Sequence, residues 1–356
     1  MPAGLLAVAL AIAGCSNDAT AAGPVDARAR PPAAPDCPPA SAPDPGNAKP
    51  RDDVPMATAA PKLPRKATYR IAFSQNASNN PWRLAETASM RAEARRLGYR
   101  LTVTDANNQQ AKQIQDIKGL IAQHPDALFV APITEQLGNV VAEATAAGIP
   151  VFLLDRDVDT SVAPPGKGYV TALLSDFVRQ GRRAAWALAR ATGGRAKIIE
   201  LEGTTGASPA IDRKKGFDAA ITACPGMKVV VSQSGDFSRA GGQAVTETLL
   251  QSHPDVTAVY AHNDEMALGA IAAIREAGKV PGRDVKVVSI DGSHDALTAV
   301  QAGELYATVE SNPRFGPVAL PTLRQYAERG RVPVRRTLQD RLFDASNVAR
   351  FIGRSY

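Results

Sequence analysis

Beyond about residue 67 the chain alternates between short unbroken apolar runs and longer stretches with helical spacing. Tyr69-Arg70-Ile71-Ala72-Phe73 opens the series, and a helical stretch follows from about Pro81 to Leu97. Next come Leu101-Thr102-Val103, a stretch carrying Ile114, Ile117, Leu120 and Ile121, and then Ala127-Leu128-Phe129-Val130. Ile114, Ile117 and Ile121 recur at i, i+3 and i+7, which sets them on one helix face turned toward a sheet. Further strands are predicted at 150–154, 168–174, 197–201, 227–232, 257–261 and 285–290. Each run is continuously apolar rather than alternating, the pattern of parallel strands buried on both faces. Glycines close helices just ahead of new strands, at Gly98, at Gly148 before Ile149-Pro150, and at Gly278. The pattern predicts an α/β chain with parallel sheets.

Ahead of this region the pattern is different. Gly4 to Gly14 is a short apolar stretch ending Ile12-Ala13-Gly14-Cys15. It is too short to span a bilayer, and small residues before the cut fit a processed export signal. The last four residues resemble a bacterial lipobox, which implies a signal peptide over 1–14 and lipidation of Cys15 as the new N-terminus. The departure from such signals is that no Lys or Arg precedes the apolar run. Residues 15–67 carry Pro24, Pro31, Pro32, Pro35, Pro38, Pro39, Pro43, Pro45 and Pro50 among Ala, Asp and Ser. Such a segment buries too little apolar surface to offset its ordering entropy, and it is predicted to be a disordered, partly polyproline-II tether.

At 356 residues the chain is long enough for two domains and an extension, at roughly 150 residues per domain. A net charge of +6 over 41 basic and 35 acidic residues is too small and dispersed to point to nucleic acid. No apolar run reaches the roughly 18–20 residues of a membrane-spanning helix. Only three cysteines are present, so a disulfide scaffold is excluded; Cys37 and Cys224 are read as unpaired, with a bridge in an oxidising compartment as the alternative. The four histidines show no metal-ligand spacing, and neither a metal nor a cofactor is expected.

In parallel sheets, ligands bind beyond the carboxyl ends of the strands. Asn76, Asn80, Trp82 and Arg83 follow the first strand, Asp155 and Arg156 the fourth, and Asp212-Arg213 the strand near 197–201. His262-Asn263-Asp264 and Asp291-Gly292 follow later strands. Carboxylates, amides and an indole face, without a Ser, Cys or His in a nucleophile context, suit a polyhydroxylated ligand. Each feature also has a plainer reading. Asn263-Asp264 and Asp291-Gly292 could be helix caps or turns, Asp155-Arg156 a surface ion pair, Trp82 core, and Asp212-Arg213-Lys214-Lys215 a solvated face.

Asn79-Asn80-Pro81-Trp82, Asp155-Arg156, Ile211-Asp212-Arg213-Lys214-Lys215-Gly216-Phe217, His262-Asn263-Asp264-Glu265-Met266-Ala267-Leu268-Gly269-Ala270 and Asp291-Gly292 resemble the ribose-type periplasmic sugar-binding proteins of ABC transporters. The resemblance runs from about Tyr69 to Tyr356. Within that group Pro81-Trp82-Arg83, Ser208 to Arg213, Ser232 to Phe237 and the ending Gly353-Arg354-Ser355-Tyr356 look most like galactofuranose-binding proteins. It implies a type I periplasmic-binding-protein fold: two parallel-sheet lobes with three crossovers, one of 68–174 plus 311–340 and one of 175–310 plus 341–356. It also implies a sugar site of Asn76, Asn80, Trp82, Arg83, Asp155, Arg156, Arg213, Phe237, Asn263 and Asp291, with a last contact at Glu310 or Ser311. A position that is asparagine in ribose receptors is Ala131 here, which tells against ribose.

The resemblance implies a monomeric periplasmic receptor that delivers a monosaccharide, galactofuranose or a related hexose or pentose, to an ABC permease. Its membrane contact would be the lipid anchor alone. The alternative is a sugar-sensing lipoprotein docking on a chemoreceptor or histidine kinase. An enzyme on the same frame is disfavoured, since no nucleophile motif, metal cluster or dinucleotide loop is present. The export signal and the missing helix-turn-helix exclude a repressor.

Overall fold

The computed structural model describes Cys37 and Pro55–Tyr356, so Cys15, the expected signal peptide and most of the expected tether lie outside the described residues. Strands and helices alternate through β1 (Arg70–Gln75), α1 (Pro81–Leu97), β2 (Arg100–Asp105), α2 (Gln110–Ala122), β3 (Ala127–Val130), α3 (Gly138–Ala146), β4 (Val151–Leu154) and β5 (Thr171–Leu174). There follow α4 (Phe177–Thr192), β6 (Arg195–Glu202), α5 (Ser208–Ile221), β7 (Gly226–Ser234), α6 (Arg239–Ser252), β8 (Ala258–Ala261), α7 (Asp264–Glu276) and β9 (Lys286–Asp291). The series ends with α8 (His294–Gln301), β10 (Ala307–Glu310), α9 (Gly316–Arg329), β11 (Arg335–Thr337) and β12 (Leu342–Asp344).

These strands form two six-stranded sheets, ordered β11-β5-β4-β3-β1-β2 and β12-β10-β9-β8-β6-β7. Every pairing is parallel except β10 with β12, which is antiparallel. The chain passes between the sheets three times: from β5 into α4, from β10 into α9, and from β11 into β12. This is the two-lobed α/β architecture anticipated above.

Central strands β3, β4, β5, β8 and β10 are buried along their whole length, as their unbroken apolar runs require. The edge strands differ. In β7, Met227 is buried but Val229 and Val231 are only half-buried and Val230 is 38% exposed, because no strand covers that side. Each lobe also gains an aromatic stack across its strands or onto a helix, Phe129 on Phe152 at 5.1 Å and Phe217 on Tyr260 at 3.9 Å. Burial of such side chains contributes about 1.5–3 kcal/mol each.

Two readings of the N-terminal region are corrected. Pro55–Lys66, assigned to the tether by composition, packs on the first lobe instead. Ala57, Ala60 and Leu63 are buried there; the Ala57 N–H donates to the Val332 carbonyl at 2.8 Å and the Val334 N–H to the Pro55 carbonyl at 2.9 Å. The Tyr326 hydroxyl donates to the Ala60 and Pro61 carbonyls at 3.1 Å. Small side chains let this proline-rich segment lie flat against α9 and the approach to β11, so few large apolar residues are needed. Cys37 and Cys224, read as unpaired, form a disulfide with Cα atoms 5.1 Å apart. Cys224 is buried beneath β6 and β7 with Ala196, Ile198 and Met227, and Cys37 lies against Gly194.

On a chain-entropy basis, a bridge between residues 187 positions apart contributes up to about 5 kcal/mol. A reductant is therefore expected to lower the melting temperature of the oxidised protein by several degrees. Cys37→Ser should reproduce that drop and make the reductant ineffective; equal melting temperatures with and without reductant would show that the bridge contributes nothing.

Candidate ligand-binding cleft

The carboxyl ends of the two sheets face each other, and the lobes touch directly. The Glu135 N–H donates to the Gly206 carbonyl at 3.1 Å, and the Asp157 N–H to Ser208 Oγ at 2.9 Å. Asn108 Nδ2 donates to Asp236 Oδ2 at 2.9 Å. Behind these contacts lies a cavity lined by Asn80, Trp82, Arg83, Asp155, Arg156, Pro209, Arg213, Phe237, Asn263, Asp291 and Ser311.

The first lobe supplies its side from α1 and the end of β4. Asn80 caps α1, its Oδ1 accepting the Arg83 N–H at 2.9 Å, and Pro81 opens the helix. This sets Trp82 and Arg83 in the first turn, where the Trp82 indole N–H donates to the Ser311 carbonyl at 2.7 Å. Trp82 also belongs to the first lobe's core, so the core and cleft readings both hold. The Arg83 guanidinium lies 4.4 Å from the centre of the Trp82 ring, donating to Glu86 at 2.8 Å and to Asp155 at 2.6 Å. Burial works against its charge, but Asp155 and Glu86 outweigh that and hold it above the ordinary arginine range. Glu86 is in turn held by Gln75 Nε2 at 2.9 Å, while burial pushes its carboxyl upward against the pull of Arg83.

Asp155 sits at φ 62°, a left-handed conformation that turns the chain sharply after β4 and sends Arg156 into the cavity. Arg156 Nη1 donates to the Ile133 carbonyl at 2.7 Å. Its Nε is buried with no hydrogen-bond partner, Asp155 Oδ2 being 3.6 Å away. Burial, together with the nearby Arg83 and Arg213 charges, pulls the Arg156 guanidinium down to about 9.

In the second lobe, Arg213 projects from α5 and is held from two sides. Nη1 donates to the His262 carbonyl at 2.6 Å and Nε to Gln180 Oε1 at 2.9 Å, while Nη2 stands 3.8 Å from Asp291 Oδ1. Phe237, at φ 54° in the turn after β7, lies against Gly203; a Cβ there would come within 1.9 Å of the ring, so only glycine admits it. Asn263 caps α7 through its Oδ1, which accepts the Met266 N–H at 3.0 Å, while its Nδ2 donates to the Phe237 carbonyl at 3.1 Å. The helix-cap reading of Asn263 is therefore right and compatible with a place in the cleft. Asp291 ends β9 at φ 143°, and burial raises its carboxyl well above the ordinary range.

Of the residues expected in the site, only Asn76 does not line the cavity; its side chain is buried beyond β1 with both amide atoms unpaired. Ser311, rather than Glu310, lines it; Glu310 instead accepts from the Arg341 backbone N–H at 3.0 Å. Ala131 is buried outside it. Lys214 is not on a free face: it pairs with the buried Glu200, which His262 also contacts at 3.1 Å. Although burial pushes Glu200 up, His262, Lys214 and Ser232 together bring it down to about 2. Glu86, Pro209 and Gln180 were not anticipated. Glu86 carried a signal, since it stands three residues after Arg83 on one helix face.

The model of the periplasmic binding protein domain matches residues 71–330. The chain belongs to this family. The galactofuranose-binding protein YtfQ of Escherichia coli K12 is 40% identical over 277 residues, 76% of this chain and 86% of that protein. The ribose import binding protein RbsB of Bacillus subtilis 168 is 40% identical over 251 residues, 70% of this chain and 78% of its own. Among solved structures, the periplasmic binding component of the arabinose ABC transporter from Shewanella sp. ANA-3, bound to α- and β-L-arabinofuranose, superposes with a TM-score of 0.74. It is 37% identical, and the match covers 81% of this chain and 95% of that one. The two six-stranded lobes and their three crossovers are thus the type I periplasmic binding protein fold, of the ribose and galactofuranose type.

Proposed function

We propose that the protein is the extracytoplasmic receptor of a sugar ABC transporter. It takes up one neutral monosaccharide, galactofuranose or a related hexose or pentose, between its lobes and presents it to the permease in the closed form. The observation that carries this reading is the buried Nε–H of Arg156 in the cleft, which makes no hydrogen bond. A buried donor without an acceptor costs about 1–3 kcal/mol, which an acceptor on a ligand recovers. Charge selects the kind of acceptor. Arg83 already pairs with Asp155 and Glu86, and Arg213 stands beside Asp291, so these cations have carboxyl partners within the protein and an uncharged polyol needs to bring no charge of its own.

Each lobe provides part of the site, so a sugar stabilises the closed arrangement by bonding to both. Two furanose-binding relatives support a five-membered ring in particular. One chain carries the whole cleft, in keeping with a monomer, and the lipidated Cys15 would hold it beside the membrane. The test is a thermal-shift panel of D-galactose, L-arabinose, D-ribose and D-glucuronate. One of the neutral sugars is expected to raise the melting temperature and glucuronate is not. A response to glucuronate alone, or to no member, would count against this reading.

A further inference from the structure

Gln180 connects the cleft to all three chain crossovers. It lies in the first turn of α4, just past the first crossover, and is 1% exposed. Its Nε2 donates to Asp340 Oδ2 at 2.8 Å and to the Glu310 carbonyl at 3.2 Å, while its Oε1 accepts from Arg213 Nε at 2.9 Å. Asp340 stands between β11 and β12 on the third crossover, and Glu310 ends β10 at the second. Ser175, on the first crossover, donates through Oγ to Asp340 Oδ1 at 3.1 Å, and Arg183 Nη1 donates to the Asp340 carbonyl at 2.9 Å. The amide orientation follows from its partners, since the Glu310 carbonyl only accepts and the Arg213 guanidinium only donates.

The helices leave Gln180 little freedom. A Cβ at Gly181 would stand 2.0 Å from the Arg213 carbonyl oxygen, and one at Gly216 would stand 1.9 Å from that of Val178. Backbone therefore meets backbone where α4 crosses α5, and Gln180 is set beside Arg213 in a fixed register.

We propose that Gln180 is a positioning residue that ties the reach of Arg213 into the cleft to the closed arrangement of the hinge. This rests on the sugar-receptor reading. Lobe opening changes the backbone angles of the crossovers, and residues on three separate crossovers then cannot all keep their bonds to one amide. Loss of the Asp340 and Glu310 partners frees the Gln180 side chain, and Arg213 Nε loses its fixed acceptor. Sugar held by Arg213 therefore favours the hinge geometry in which this set of bonds is complete, which couples occupancy to closure.

The test compares Gln180→Met, Gln180→Glu, and Gln180→Glu combined with Asp340→Asn, all in the full chain. Calorimetric titration with D-galactose and L-arabinose reads affinity. Hydrogen exchange of the unliganded protein over 174–180, 309–312 and 338–342 reads the crossovers. Methionine removes all three bonds, so binding is expected to weaken at least about tenfold and exchange to quicken in all three segments. Glutamate keeps an acceptor for Arg213 but sets a second carboxyl against Asp340, which burial already raises to about 7, so at pH 8, where the pair must ionise, it should weaken binding nearly as much. In the double variant the amide introduced at position 340 donates to the carboxylate introduced at position 180, so affinity is expected to return to within about threefold of wild type. A Gln180→Met protein that binds and exchanges like wild type overturns the inference, as does a double variant no better than Gln180→Glu. If the wild type binds neither sugar, the receptor reading has failed for them; unchanged exchange in Gln180→Met would then overturn the positioning role separately.

Discussion

Replacing Arg156 with alanine is expected to weaken sugar binding about a hundred- to a thousandfold while leaving the unliganded fold at least as stable. Hydrogen bonds to a charged group contribute about 1.5–3 kcal/mol each, and about 1.4 kcal/mol is one decade of affinity. The substitution removes the vacant Nε donor together with whatever its Nη groups offer a sugar. Its cost to the fold is small: one firm bond, from Nη1 to the Ile133 carbonyl, is lost. Against that, the Arg156 charge is disfavoured by burial and by Arg83 and Arg213, which lowers its proton affinity to about 9. A cation whose folded-state value is depressed penalises the fold fully below that pH, and alanine removes the penalty. Titration calorimetry and denaturant unfolding measure the two effects; a dissociation constant within threefold of wild type would show that the site is misplaced.

Asp291→Asn is expected to separate stability from binding. The carboxyl is raised well above its ordinary value, first by burial and then by Asp264 and Asp155, against the pull of Arg213. A folded-state value above the unfolded one means that the folded protein holds the proton more tightly. Stability is then greatest at acid pH and declines as pH rises through the unfolded value toward the folded one. At neutral pH the wild type carries that penalty and an asparagine does not. Asparagine also tolerates the φ of 143° about as well as aspartate. The melting temperature of the unliganded variant should therefore rise by several degrees at pH 7.5, a gain that disappears near pH 4. Sugar affinity should fall about a hundredfold, because an amide accepts hydroxyl protons less strongly than a carboxyl group that ionises against Arg213 when a sugar donates to it. Wild-type affinity in this variant, or a lower melting temperature at pH 7.5, would contradict the account.

Much of the fold was legible because its signals are local. The runs at 127–130 and 257–261 match β3 and β8 to within a residue, and Asn263, just after β8, falls at the cleft as parallel topology requires. Asp155, Arg156, Asn263 and Asp291 were found in this way. The rest depends on contacts between distant parts of the chain. Gln180 meets Glu310 across 130 positions and Asp340 across 160, and no local pattern marks a residue that spans crossovers. Cys37 and Cys224 are 187 residues apart, and the composition around Cys37 concealed both their pairing and the packing of Pro55–Lys66. The left-handed turns at Asp155 and Phe237 carry no glycine to announce them, since the lobes themselves impose the conformation.

The most direct test of the central claim is the crystal structure of the full chain grown with the sugar that gives the largest thermal shift. The account predicts one furanose ring between the lobes, with a ring or hydroxyl oxygen on Arg156 Nε, hydroxyls on Asp291 and Asn263, and a ring face toward Trp82 or Phe237. A sugar bound anywhere else, or a cleft in which Arg156 contacts no ligand atom, would contradict it.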